Sequence, residues 1–359
     1  MLTSCSITRT VLCKRPRDFN PFRPLLNLQA RRLGTALVDK HEDDRHRLSH
    51  SQLKQLFSGY YPDDFPEEVI RLKGPFSTYS TLEKAFNTSN YMRKKAIVTF
   101  DFSISTTVVK YRASPLHDAI IASTFEEISL HTGSQGKRGI FQYSLYQDRV
   151  FRTGDENEIS ILAPDLLVSY RSKRNSGNNQ PVLVLEVGFT ESYESLASSL
   201  SNWLNRIPEL KMAILVKVNE VPTYKNPLAT QGMLNMPELK PLRGGLRNRD
   251  VSLEDPTNPY SPLMICGIRW VAPTTAFVEA WTKDKETGKP ALQGKRIFYG
   301  PGHSDTPLTL NLADFVPEYE KFARPTLGFN WNTFRDALSQ ARKWVRYSLQ
   351  GYPHLNQAA

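Results

Sequence analysis

The sequence predicts an α+β fold in the broad α/β class: a mixed central sheet flanked by helices, extended at both ends. Three observations predict it. From residue 114 to 218 the elements run helix, three strands, helix, strand. Acidic residues mark two of those strands, Asp165 at the start of the second and Glu186 near the end of the third. The composition, 40% hydrophobic and 11% aromatic over 359 residues, is globular, with enough apolar material for one large domain or two modest ones.

Residues 1–40 are set apart as a basic leader. Arg9, Lys14, Arg15, Arg17, Arg23, Arg31 and Arg32 stand against the single acid Asp18 in residues 1–36. Arg-rich, acid-poor composition has the character of a mitochondrial presequence. Pro16, Pro21 and Pro24 interrupt any long amphipathic helix there. A disordered basic arm touching nucleic acid and a plain unstructured leader are the alternatives, so the mitochondrial matrix and the nucleus are both open as locations. The leader accounts for about six of the chain's ten net positive charges, leaving a modest basic bias that suits a polyanionic partner. No apolar run approaches the roughly 20 residues of a membrane helix, so no membrane association is expected. Cys5, Cys13 and Cys266 are odd in number and lack ligand spacing, which indicates neither a disulfide framework nor a zinc site and fits a reducing compartment.

Residues 41–113 form an N-terminal extension expected to pack on the core. Leu48 to Phe57 has the pattern of a short helix. Thr81 to Phe86 is a second, with Ser80 as cap and Glu83 completing a capping box. The β-branched and aromatic runs Ile97–Phe102 and Thr106–Tyr111 predict strands.

The core, 114–218, opens with a helix capped by Ser114, with Pro115 at its first position, Asp118 in its first turn and Gly133 at its end. His117 and Asp118 are explained by the helix start. Glu127 falls at the edge of the apolar face formed by Ile120, Ile121, Thr124, Phe125 and Ile128. Ile140 to Phe151 alternates as one strand. Leu166–Tyr170 and Pro181–Leu185 follow, joined by the turn residues 171–180. Past Gly188, Thr190 or Ser192 caps a helix with the stripe Leu196, Leu200, Trp203, Leu204 and Ile207. Met212–Val216 is a buried strand with Lys217 at its end. Residues 219–262 are a proline-interrupted insertion. In 263–359, Thr275–Trp281 and Arg296–Tyr299 extend the sheet as a hairpin, and Trp331–Leu349 forms an amphipathic terminal helix.

The chemistry concentrates on Asp165 and Glu186. In a symmetric antiparallel hairpin Tyr170 faces Pro181, Val168 faces Leu183 and Asp165 faces Glu186, with opposed side chains on the same face. Two carboxylates a few ångströms apart repel unless a cation lies between them, and a hard divalent ion such as Mg2+ fits. A strand-end Asp and an edge Glu without metal is the plainer alternative, and burial beside Val184 makes it costly. The loop Gly133–Gly139 lacks P-loop spacing, and no Ser nucleophile elbow is present. Lys137/Arg138, Arg149/Arg152 and Arg171/Lys173/Arg174 flank the pair in sequence. They would track phosphates if they converge, and are solvated surface if they do not.

Pro164-Asp165, Glu186-Val187-Gly188 and the segment Thr190–Leu196 with Trp203-Leu204 resemble the PD-(D/E)XK nuclease superfamily, the restriction-endonuclease-like fold. The chain is similar in particular to fungal members of it, and Leu308–Pro317 looks like the tail of that group. The resemblance covers roughly a third of the chain, and its motif is short and degenerate. It implies an αβββαβ core, Mg2+ (or Mn2+) held by Asp165 and Glu186 with the Val187 carbonyl, and Glu127 in the place of a further helix ligand. It implies hydrolysis of DNA or RNA phosphodiesters. One position departs from the pattern: the family's lysine stands two residues after the glutamate, where this chain has Gly188. Lys217 or Lys211 would be the replacement, unless the face carrying Lys217 packs against a helix. Two function classes follow, a metal-dependent nuclease and a nuclease-fold protein that has lost turnover and serves as a nucleic-acid-binding or protein-interaction module. The two acids favour the first and Gly188 the second.

Overall fold

The computed structural model describes residues 48–62, 65, 69–88, 96–110, 115–136, 141–147, 151–153, 160–172, 179–189, 191–222, 251–258, 260–300, 308–311, 314 and 326–329. Within them it is a mixed α+β molecule built on two main sheets, and no described helix is long and apolar enough to cross a membrane.

The N-terminal part opens with α1 (His50–Phe57). Ser49 and Gln52 form a capping box at its start, each side chain bonding the other residue's backbone N–H. Strand β1 (Val69–Lys73), helix α2 (Phe76–Thr88), strand β2 (Ile97–Asp101) and strand β3 (Thr106–Lys110) follow. Helix α2 starts four residues before the expected capping box. Ser80 and Glu83 lie inside it, where Glu83 accepts the Tyr79 hydroxyl at 2.6 Å instead of a backbone N–H. The chain then crosses through α3 (Pro115–Gly136) into β4 (Phe141–Gln147), β5 (Phe151–Thr153) and β6 (Ser160–Leu162). Gly133 lies within α3, which runs on to Gly136.

The expected single strand over 140–151 is two strands in two sheets. Strand β4 belongs to the core sheet, whereas β5 and β6 join the N-terminal sheet in the order β1-β3-β2-β6-β5. The core chain therefore loops out between its first and second strands to complete its neighbour's sheet. Leu56, Tyr79, Leu82, Val98, Phe100, Val109 and Ile161 close the small core beneath that sheet.

The core sheet continues with β7 (Leu166–Ser172), β8 (Gln180–Gly188), helix α4 (Tyr193–Arg206) and β9 (Met212–Glu220). Strands β4, β7 and β8 form an antiparallel meander, and β9 lies parallel to β8 after the α4 crossover. Two short strands beyond, β10 (Val251–Leu253) and β11 (Leu263–Ile265), build a small separate sheet with β12 (Ile268–Val271). Strands β13 (Thr274–Lys283), β14 (Pro290–Leu292) and β15 (Ile297–Tyr299) extend the core sheet on the β9 side, as the hairpin expectation has it. A last pair, β16 (Leu308–Asn311) with β17 (Thr326–Phe329), stands apart. The expected helix over 331–349 and most of the proline-interrupted segment lie outside the described residues.

Strand alternation sorts the core sheet's side chains onto two faces. Leu166, Val168, Leu185, Val187, Ile214, Val216 and Val278 pack against Ile120, Ile121 and Ile128 of α3. Leu167, Val184, Ala213, Leu215 and Phe277 pack against Leu196, Leu200, Trp203 and Leu204 of α4. The hairpin register is Leu166↔Leu185 through Val168↔Leu183, then slips by one, so that Tyr170 pairs with Gln180 and not Pro181. Pro181 has no N–H to give the ladder, and the extra residue Val182 is bulged into the α3-side core beside Leu183.

Candidate functional site

The site lies where β7 begins and β8 ends, at the carboxyl end of the parallel β8–β9 pair, next to the start of α4. This is the end at which open α/β sheets hold ligands. The ladder ends at the Leu166↔Leu185 pair, and Asp165 and Glu186 are the next residues outward on the two chains. Both are buried, at 5% and 1% exposure.

Two partners hold Asp165 through one oxygen. Its Oδ2 accepts the Val187 N–H at 2.7 Å and lies 3.2 Å from His117 Nε2. Burial pushes the Asp165 pKa up, but the charges of His117 and Lys110 and the bonds from His117 and the Val187 N–H outweigh it and hold the carboxyl below its usual range. His117, in the first turn of α3, thus does more than start the helix.

Glu186 is gripped on both oxygens. Lys110 Nζ donates to Oε2 at 2.7 Å, and the indole Nε1 of Trp203 donates to Oε1 at 2.7 Å. Burial, helped by the Asp165 charge, raises the Glu186 pKa, while Lys110 and the two hydrogen bonds oppose the rise without cancelling it. Burial acts to lower the Lys110 pKa. The charges of Glu186, Asp165 and Glu191 exceed it, so the ammonium stays protonated through the whole working range.

Glu191, just ahead of α4, completes the cluster. It accepts the Ser195 hydroxyl at 2.6 Å and is paired with Arg71 of β1, which also bonds the Ser195 hydroxyl. Ser192 is the helix cap, its Oγ accepting Ser195 N–H at 3.2 Å. Arg71 and Lys110 come from adjacent strands of the N-terminal sheet, so that sheet supplies these cations and the core supplies the acids. Asp101 makes a second tie between the two parts. It accepts from Arg206 at 2.5 Å and from Asn202 at 3.1 Å, both on α4.

Gly188 has a steric explanation. A Cβ there would overlap Leu196 Cδ1 and stand 3.0 Å from Leu196 Cγ, and Leu196 is 1% exposed. Close packing of α4 on the end of β8 leaves no room for a side chain at this position. Gly188→Ala should therefore cost about 1–3 kcal/mol of stability by overpacking. Denaturant unfolding measures it, and Gly188→Ala combined with Leu196→Ala should lose less than the two single losses added together.

The other sequence-predicted residues are dispersed. Lys217 lies within β9, which runs three residues past it, and its side chain is on the face that packs against α4. Its ammonium donates to the carbonyls of Phe189 and of Val218, the latter at 3.1 Å, bracing the turn after β8. Lys211 precedes β9, its backbone N–H bonded to the Val182 carbonyl. Glu127 is half-buried, ten residues or about 15 Å further along α3 than His117. Arg171 is exposed near the far end of β7, six residues or about 20 Å from Asp165. Arg152 is exposed on β5, the edge strand of the N-terminal sheet. Lys137, Arg138, Arg149, Lys173 and Arg174 lie outside the described residues, and the main chain of Val187 gives its N–H to Asp165.

A third buried carboxylate shares the cross-strand row of the first two. Glu279 of β13 pairs in register with Leu215, as Glu186 does from the other side. It is fully buried, and it takes Arg296 at 2.6 Å, Trp281 Nε1 at 2.9 Å and the Tyr193 hydroxyl at 3.3 Å. The Arg296 guanidinium stacks 4.2 Å from the Phe277 ring centre and 4.6 Å from that of Tyr193. This pair is self-contained, with its own cation and its own aromatic cover.

Among the described residues no group of three or more His, Cys, Asp or Glu is gathered tightly enough to hold a metal ion by itself. Arg71 pairs with Glu191 and Lys110 with Glu186, while His117 stands beside Asp165. Two protein carboxylates with water or phosphate oxygens completing the shell suit Mg2+, which keeps several such ligands. No protein-family model, no curated protein and no solved structure matches the chain.

Proposed function

We propose that the chain is a metal-dependent phosphodiesterase with a restriction-endonuclease-like core, cleaving DNA or RNA. One observation carries the reading: a buried Asp165/Glu186 pair with a lysine ammonium on Glu186, at the carboxyl end of β8. The order α3-β4-β7-β8-α4-β9, with a meander followed by a parallel crossover strand, supports the αβββαβ core.

Asp165 and Glu186 would hold Mg2+ or Mn2+, with the Val187 carbonyl as the oxygen that the resemblance adds. When bound, the ion supplies Lewis acidity to the scissile phosphate and to the attacking water. The chain's own residues do the rest. His117 and the Val187 N–H keep Asp165 ionised and oriented. Trp203 fixes the plane of the Glu186 carboxylate. Lys110, permanently protonated, takes the role that Gly188 leaves open, offsetting negative charge on the phosphoryl group beside the pair. Lys217 braces the turn after β8.

Cleavage of single-stranded DNA, duplex DNA and RNA by the purified protein with Mg2+ or Mn2+ tests the reading. Asp165→Asn and Glu186→Gln should each lower the rate on the order of a hundredfold or more. Cleavage that both variants retain would come from something else and sink the proposal. The second reading, a nuclease-fold binding module, is favoured by one feature: both oxygens of Glu186 are already bonded. It expects nucleic-acid binding without turnover, unchanged by added metal.

A further inference from the structure

The two bonds on Glu186 are unequal in kind. Trp203 is 2% exposed, its ring packed edge-on to Phe151 at 6.1 Å and set in the α4 stripe that fills the face of the sheet. Its N–H cannot leave Oε1 without unpacking that helix. Lys110 is the last residue of β3, and its side chain is 18% exposed. A four-carbon stem ending in a compact ammonium swings at little cost. Arg71, the other cation of the cluster, is committed to Glu191 and Ser195. Among the described cations Lys110 is the one bonded to Glu186, and it also lies within the fields of Asp165 and Glu191.

We infer that Lys110 is an exchangeable internal cation: it holds Glu186 Oε2 in the metal-free protein and gives that oxygen up to a divalent ion, while Trp203 keeps Oε1 in both states. This rests on the metal reading given above. The released ammonium stays beside the pair, within the field of Glu191, where it can still face the phosphoryl group. The exchange explains how two buried carboxylates persist without metal, and it makes metal affinity weaker than the carboxylates alone would give, because the ion must displace a resident charge.

Two measurements test it. In the unmodified protein, reductive methylation of lysines read by mass spectrometry should find Lys110 slow without metal and severalfold faster at saturating Mg2+, with Lys283 as an internal standard on a separate surface. In equilibrium dialysis with Mn2+, Lys110→Met should bind roughly tenfold tighter or better, because a competing charge a few ångströms away is gone. An unchanged Lys110 rate in protein that binds metal through Asp165 overturns the exchange and leaves the metal reading standing. If Mn2+ binding is missing, or is identical in Asp165→Asn, both fall. The methylation experiment needs no variant, so it decides the matter even if Lys110→Met folds poorly.

Discussion

Trp203→Ala should destabilise the protein by about 3–5 kcal/mol, the range for deleting a buried tryptophan and leaving part of its volume empty. Trp203 is among the largest fully enclosed side chains of the described residues, and it joins α4 to the face of the sheet formed by Leu167, Val184 and Leu215. The deletion also strips Glu186 of its indole donor. Trp203→Phe separates the two effects, since it keeps most of the ring volume and removes only the N–H. A buried charged acceptor losing one of two donors should cost about 1–3 kcal/mol. Chemical unfolding of the three proteins at neutral pH measures both. Equal losses in the two variants would show that packing contributes little here and that the Glu186 bond dominates.

The same residue shows what was legible in the sequence. The stripe Leu196, Leu200, Trp203, Leu204 and Ile207 follows from helical periodicity alone, and all five are buried. The placing of Asp165 and Glu186 one residue beyond the Leu166↔Leu185 pair follows from strand parity and the nearly symmetric hairpin. The helix, meander, helix, strand order also comes through, because each of these elements carries its own local period.

Other features depend on partners distant in sequence. Lys110 ends a strand 76 residues before Glu186 in a different sheet, and nothing in its neighbourhood marks it. The motif that the sequence resembles directs attention forward to Lys217, whereas the cation on Glu186 comes from Lys110, earlier in the chain. His117 looks like an ordinary first-turn residue until the fold sets β7 beside it. The residues 140–151 keep one alternating pattern across a change of sheets, because alternation records that a strand has two faces and not which sheet it joins. Ser80 and Glu83 have the spacing of a capping box but sit in the second turn, where the helix already satisfies the backbone N–H groups. The slip at Pro181 was in principle visible, since a proline inside a paired strand signals a bulge.

The N-terminal sheet and the core therefore act as one unit at the site. Lys110 and Arg71 reach from one sheet into the acids of the other, Asp101 is tied back to α4, and β5 and β6 are strands lent by the core chain. Changes in the N-terminal extension should be felt at Glu186.

The largest such effect should come from Lys110→Met, with a characteristic pH dependence. The substitution leaves Glu186 and Asp165 buried without their shared cation, and breaking a buried pair from one side costs about 3–5 kcal/mol. The sign follows from the carboxylates. Glu186 already has a folded-state pKa raised to about 7, so its ionisation opposes folding as pH climbs from the ordinary glutamate value near 4.3. Without Lys110 that pKa rises further and the opposition deepens. Asp165, held low partly by Lys110, shifts up as well, so stability it contributes above about 3.9 shrinks. The variant should therefore differ most from the parent at pH 7–8 and least near pH 4, where Glu186 is protonated in both. Unfolding free energies across pH 4–8 should converge toward acid. Curves that stay parallel would mean that Lys110 contributes through packing of its stem, and that the buried acids are neutralised by something other than its charge.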